Sequence, residues 1–128
     1  MANRKEIIDL VPTITSKKVD AIFTPPDALI SEAIDVIVEQ SLKEKLPLIT
    51  SLLANVKRGC LATYAANYFA LGQQGAGIVD KILKGAKPAD IPVEQPMKFS
   101  LAINLKTAKT IGLKVPREIL LRADEVIE

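Results

Sequence analysis

The chain has 128 residues, 48% of them hydrophobic and only 4% aromatic, so it holds one domain's worth of core built from Ile, Leu, Val and Ala, and disorder is excluded. A net charge of +2 with the signs interspersed, and no basic stripe with interleaved aromatics, speaks against a nucleic-acid partner. With no histidine and one cysteine, the chain has no Cys/His zinc site, no Ser-His-Asp or Cys-His catalysis and no internal disulfide.

The N-terminus "MANRKEIIDL" lacks an apolar h-region, so no signal peptide is expected in the sequence as it stands. Met1-Ala2 ahead of Asn3 also suits an initiation codon placed before a fragment. No segment reaches the roughly 20 apolar residues of a membrane span.

In chain order, "NRKEIIDLVPTITSKK" predicts a helix with Ile7, Leu10, Val11 and Ile14 on one face, weakened by Pro12. Val19 to Thr24, "VDAIFT", is apolar on both faces as a buried parallel strand requires, and Pro25-Pro26 stop it. The next helix is the clearest. Leu29, Ile30, Ala33, Ile34, Ile37, Val38 and Leu42 recur at three- and four-residue steps, with Glu32, Asp35, Glu39 and Lys43 opposite. Asp27 is placed to cap it.

"LPLIT" (Leu46 to Thr50) predicts a second strand, "SLLANVKRG" a short helix ending at Gly59, and "CLATYA" a third strand. Cys60 lies in a small apolar run, as a buried and inert thiol would. Asn67 is placed to cap a helix running from Tyr68 to Gly85, with Leu71, Ile78, Ile82 and Leu83 on its apolar side. Then comes a connector, "KGAKPADIPVEQPMKF", stiffened by Pro88, Pro92 and Pro96 and longer than the usual helix-to-strand link. "KFSLAIN" alternates as a strand, "LKTAKTIG" is a short helix ending at Gly112, and "PREILLRADEVIE" predicts a final helix. The order implies an α/β fold with an open, mainly parallel sheet and flanking helices.

Gly72, Gly75 and Gly77 in "GQQGAG" resemble a nucleotide loop only in composition. A dinucleotide turn needs its glycines between strand and helix, and these fall inside the helical pattern. Packing of the helix against a neighbour accounts for them better. The loop Thr24-Pro25-Pro26-Asp27 lies at a strand's carboxyl end, where open α/β sheets bind ligands. Thr50-Ser51, Tyr64 and Asn67 follow at the ends of the next strands. Short polar groups and one ring along a sheet edge suit a small polar or amino-acid-like ligand. Only Asp27 is a titratable group there, so no acid/base pair is available and no enzyme activity, cofactor or metal is expected. Glu32, Glu44 and Glu118 read as surface charges.

"VDAIFTPPDALISEAI", "KILKGAKPADIPVEQP", "INLKTAKTIGL" and the ending "ADEVIE" resemble the carboxyl-terminal part of ABC-transporter substrate-binding proteins. These have the type I periplasmic-binding, flavodoxin-like fold of sugar- and amino-acid-binding proteins and of the tryptophan/tyrosine uptake proteins. The resemblance implies two lobes closing on a solute outside the cytoplasmic membrane, and delivery to an ABC permease. It implies that residues 1–60 belong to the second lobe and that 61–86 cross to the first. Residues 87–97 would be a hinge connector, and 98–128 would rejoin the second lobe.

Carried over by position, Thr24, Pro26, Asp27, Thr50, Ser51, Tyr64 and Asn67 become ligand-contacting residues, with an aromatic amino acid among the solutes implied. Pro26 stands where many relatives have a polar residue, which removes one hydrogen bond. The helix at 68–85 would then present an apolar face made for a lobe this chain lacks, and self-association follows, with exchange of that helix between copies as one route. Two other classes remain beside this one. A stand-alone flavodoxin-like regulatory module would want an acidic pair at a strand end. The sensor half of a transcriptional regulator would want a helix-turn-helix.

Overall fold

The computed structural model describes residues 3–128; Met1 and Ala2, where the initiation-codon reading falls, lie outside the described residues. The chain forms two compact units, one running through residue 65 and again from Leu101 to Glu128, the other Ala66–Ser100.

Helix α1 (Arg4–Leu10) opens on Asn3, whose side chain accepts from Glu6 N–H. The predicted longer helix stops there, because Pro12 tightens Val11–Thr13 into a 3-10 turn. Strand β1 (Ile22–Thr24) leads through Pro25-Pro26 to α2 (Ala28–Glu32), and α3 (Ile34–Glu44) follows after a break at Ala33. The sequence predicts one helix across that break, and no glycine or proline marks it. Helix α3 closes on Lys45 at φ 54°, with Leu46 N–H returning to Ser41 O. Strand β2 (Leu48–Thr50), helix α4 (Leu53–Lys57) and strand β3 (Ala62–Ala66) complete the first part of the sheet.

The second unit's helix is α5 (Tyr68–Leu83); β4 (Phe99–Asn104) begins at the end of that unit and runs on into the first, followed by α6 (Leu105–Ile111), α7 (Arg117–Arg122) and β5 (Glu125–Ile127). The predicted final helix is therefore half right. It ends at Arg122, Ala123 turns extended, and Glu125–Ile127 pair with Ala102–Asn104. Asp124 fixes that junction: its N–H donates to Leu101 O and its carboxylate accepts from Leu101 N–H.

The five strands lie in the order β1-β2-β3-β4-β5. β1 with β2, β2 with β3 and β4 with β5 are parallel, as expected of an open, mainly parallel sheet. Asn104 N–H bonds Leu61 O and Asn67 N–H bonds Lys98 O, so numbers rise along β3 as they fall along β4, and that neighbouring pair is antiparallel.

The core of the first unit is aliphatic, as composition requires: Val11, Ile34, Ile37, Val38, Leu48 and Cys60 form one buried cluster and Leu61, Ala108 and Ile111 another. Burial pushes the Cys60 thiol up to about 12, which keeps it protonated and inert. Gly59 sits at φ +116° with Val38 Cγ1 only 2.7 Å from where a Cβ would stand. This position needs glycine both for its backbone and for its close approach.

In the second unit, α5 begins at Asn67, whose side chain accepts from Ala70 N–H and donates to Ser100 Oγ. Gln74 donates to Glu94 and to Gln95 O, and Lys81 pairs with Glu94, tying the proline-rich connector to one side of the helix. No residue of 66–100 is buried. Leu71 and Ile78 are half-buried, while Ile82 and Leu83 are exposed together with Phe69 and Val79, which the sequence reading did not single out. An added Cβ at Gly72, Gly75 or Gly77 would meet nothing within 4 Å, so the neighbour expected to pack against these glycines is not among the described residues.

Candidate functional site

Parallel pairing sets Thr24 opposite Thr50 and Thr50 opposite Thr63, so three buried threonines lie side by side, at the carboxyl ends of β1 and β2 and at the second residue of β3. Their roles differ. Thr50 Oγ1 accepts from Leu52 N–H and from the Asn55 side-chain amide at 3.3 Å each, which folds the loop after β2 back onto the strand. Thr24 Oγ1 leans on Ile49 O at 3.5 Å, and the Thr24 carbonyl accepts from Ser51 N–H and from Ser51 Oγ. Thr63 Oγ1 is buried and has no hydrogen-bond partner among the described residues.

Sequence reasoning missed Asn55 and Thr63. The register that places Thr63 beside Thr50 was available only from the pairing, whereas an Asn five residues after Thr50 was visible as a capping-type residue.

Thr50 and Thr24 are thus building parts of the site floor, not groups held out to solvent. Replacing Thr50 by valine keeps its shape and strands two donors, so Thr50→Val is expected to cost about 1–3 kcal/mol. Thr63→Val removes a hydroxyl that bonds nothing among the described residues and is expected to leave stability unchanged or raised. Urea midpoints of the two variants check the contrast; equal losses would contradict it.

The exposed part of the site is the loop Pro25-Pro26-Asp27. Neither proline carries an N–H, so Pro26 offers only its carbonyl and its ring face. Asp27 Oδ1 accepts from Ile30 N–H at 3.0 Å, the cap expected of it, and its carbonyl takes Ser31 Oγ and Ser31 N–H. A carboxylate capped through one oxygen keeps lone pairs on the other for a ligand.

Beside this loop an apolar groove of about 500 Å³ runs between α1, β1 and α2, lined by Ile7, Leu10, Ile22, Phe23 and Ile30, with Thr24 and Asp27 in the same lining. Polar groups next to apolar room suit an amphiphilic small molecule. Tyr64 is exposed and follows Thr63 in β3, so strand alternation turns it to the other face of the sheet from the three threonines. The structure therefore gathers Thr24, Asp27, Thr50 and Ser51, sets Tyr64 on the opposite face, and places Asn67 in the second unit as the cap of α5.

Away from the loop, Arg58 clamps Asp35 through Nε and Nη2 and donates through Nη1 to Ser31 O. These bonds hold the Asp35 carboxyl below its ordinary range and staple the end of α4 to the α2–α3 junction. Among the described residues no group of three His, Cys, Asp or Glu could hold a metal. No helix among them is long and apolar enough to cross a membrane.

An open, mainly parallel α/β sheet with flanking helices is the architecture of the periplasmic-binding type of structure. The chain belongs to the ABC transporter substrate binding protein family, whose profile matches residues 1–127. The "Tyrosine-binding protein" of Clostridioides difficile is 28% identical over 97 residues, 76% of this chain and 28% of that protein.

Among solved structures, the ABC domain of Streptococcus pneumoniae in complex with L-Trp superposes with a TM-score of 0.87 at 35% identity, over 99% of this chain and 43% of the other. A conserved domain protein of Vibrio cholerae gives a TM-score of 0.85 at 26% identity, over 97% of this chain and 42% of the other. The chain thus spans less than half the length of the relatives it matches.

Proposed function

We propose that the chain is the carboxyl-terminal part of the solute-binding component of an ABC uptake transporter, and that it contributes one wall of a cleft for a small amphiphilic solute of the aromatic amino-acid kind. The observation that carries this is the likeness, along nearly the whole chain, to a domain bound to L-Trp. The groove beside Thr24 and Asp27 supports it, since it offers apolar room for a ring next to a carboxylate for an ammonium group. Asp27 would take the ammonium group, Ser51 and the Pro25-Pro26 backbone would frame it, and Tyr64 and Asn67 would act where the chain passes between lobes. The protein acts by binding, without chemistry on the solute. In the longer protein residues 61–86 cross to the other lobe, 87–97 return as a hinge, and the loaded protein meets its permease at the outer face of the membrane. Alone, the chain self-associates through 68–85.

A single wall supplies few contacts against the cost of immobilising a ligand, so the chain alone is expected to bind L-Trp or L-Tyr no more tightly than about 1 mM. A chimera in which the chain replaces the matching region of the L-Trp-bound relative is expected to bind L-Trp at least about 100-fold more tightly than the chain alone, because the second wall is restored. Calorimetry reads both. Micromolar affinity of the chain alone, or a folded chimera that binds no aromatic amino acid, would contradict the proposal.

A further inference from the structure

The stretch "INLKTAKTIGL" carries two buried polar side chains, Asn104 and Thr107, that stand apart from the solute loops. Asn104 ends β4 and caps α6, its Oδ1 accepting from Thr107 N–H at 3.0 Å. The other end of the same amide, Nδ2, donates to Val56 O in α4 at 2.9 Å, and the Asn104 backbone N–H donates to Leu61 O just ahead of β3. Thr107 Oγ1 donates to Gly59 O at 2.8 Å. Two neighbouring side chains thus supply donors to carbonyls at and beyond the C-terminal end of α4, where a helix leaves its own unsatisfied.

Helix α4 needs that hold. It has five residues, far below the roughly 12–15 at which a helix stands by itself, and Val56 is its only buried apolar side chain. Leu52 gives it no side-chain cap; Thr50 Oγ1 takes Leu52 N–H and the Asn55 amide instead. The ion pairs near its C-terminal end, Lys57 with Glu125 and Arg58 with Asp35, stand in solvent, where such pairs contribute little. Two residues ahead of α4 is Ser51, whose N–H and Oγ both donate to Thr24 O, at 3.2 and 3.1 Å. Wherever α4 sits, Ser51 must follow.

We propose that Asn104 is a positioning residue of the solute site: through Val56 it fixes α4, and through α4 it holds Ser51 against Thr24. The position calls for an amide because its two partners are opposite in kind. Thr107 N–H requires an acceptor and Val56 O a donor, and one planar group meets both. An ionised aspartate could cap α6 but has nothing to donate to Val56. Serine could cap it too, but its side chain is one atom shorter and cannot reach Val56 as well. Asn104 also ends β4, so the strand that runs into the first unit from residue 100 fixes the solute loop of that unit. That Ser51 faces a solute is the reading proposed above; the measurements below separate failure of that reading from failure of the positioning role.

The test is amide hydrogen exchange and an L-Trp titration, both read by NMR on the full chain. Asn104→Ser keeps a cap for α6 and loses the bond to Val56 O. Thr107→Val keeps its N–H bond to Asn104 and loses the bond to Gly59 O; it decides the matter if Asn104→Ser does not fold. The expected result for Asn104→Ser is exchange at Ser51, Leu52 and Asn55 accelerated at least about tenfold more than at Ile37 and Val38 in α3, with the same pattern, smaller, in Thr107→Val. With L-Trp, the Ser51 shift is expected to fall by more than half in Asn104→Ser while the Asp27 shift stays. Exchange raised equally at Ser51 and in α3 would mean a general loss of stability and overturn the proposal. Unchanged exchange at Ser51 would mean that α4 holds itself, and would overturn it as well. Faster exchange beside an unchanged Ser51 shift would overturn its bearing on the solute. No L-Trp shift at all in the unsubstituted chain would overturn the solute reading, while exchange still decides whether Asn104 places Ser51.

Discussion

Leu48→Ala is expected to lower the stability of the chain by about 2–5 kcal/mol, the largest effect of any single truncation in its core. Leu48 is fully buried at the middle of the first unit's larger cluster, with Val11 from the N-terminal turn, Ile34, Ile37 and Val38 from α3, and Cys60 from the start of β3. Its strand pairs with β1 on one side and β3 on the other, so the surroundings cannot close on the cavity without bending both. A domain of this size has total stability of only about 5–15 kcal/mol, so the variant should show a large fall in urea midpoint at an unchanged slope. A loss below about 1 kcal/mol would mean that the cluster is loosely packed.

Gly59→Ala is expected to cost about 2–5 kcal/mol through a different cause, strain and overpacking together. The backbone at φ +116° is one that L-residues rarely adopt, and the new methyl would meet Val38 Cγ1 at 2.7 Å. Val38 lies within α3 and is buried, so it has little room to yield. The two contributions are separable, since Val38→Ala removes the obstacle and leaves the backbone strain. The double variant is therefore expected to lose less than the sum of the two single losses. Strict additivity, measured by urea unfolding, would show that Gly59 is fixed by its backbone alone.

The sequence made the α/β alternation and the core legible because both rest on local periodicity. Ile34, Ile37 and Val38 were placed on the buried face by their spacing, and Asp27, Asn67 and Gly112 behaved as the caps their residue types announce. The terminal "ADEVIE" reads in sequence as a continuation of the helix that Pro116 opens. The outcome was decided by pairing with β4 and by Asp124 bridging to Leu101, neither of which is local. The direction of β4 was hidden for the same reason, since it depends on where the chain goes between residues 66 and 100.

At the candidate site the polar residues were visible one by one, but their assignments were not. Thr50 reads in sequence as a hydroxyl at a strand end; only the fold shows it buried and occupied by Leu52 N–H and Asn55. Tyr64 looked like a companion of Thr50, and strand alternation puts it across the sheet. The helix glycines were understood as packing positions, and what the sequence could not show is that the described chain supplies nothing to pack there.

The account's central claim is that this chain carries one wall of a solute-binding cleft at the carboxyl ends of β1 and β2. The most direct measurement is an amide NMR titration of the chain with L-Trp and L-Tyr up to about 20 mM, well beyond the expected millimolar dissociation constant. Shifts concentrated at Thr24, Asp27, Thr50 and Ser51, growing without saturation below about 1 mM, are the result the account predicts. Unchanged resonances at those four residues, or shifts confined to other parts of the fold, would contradict it.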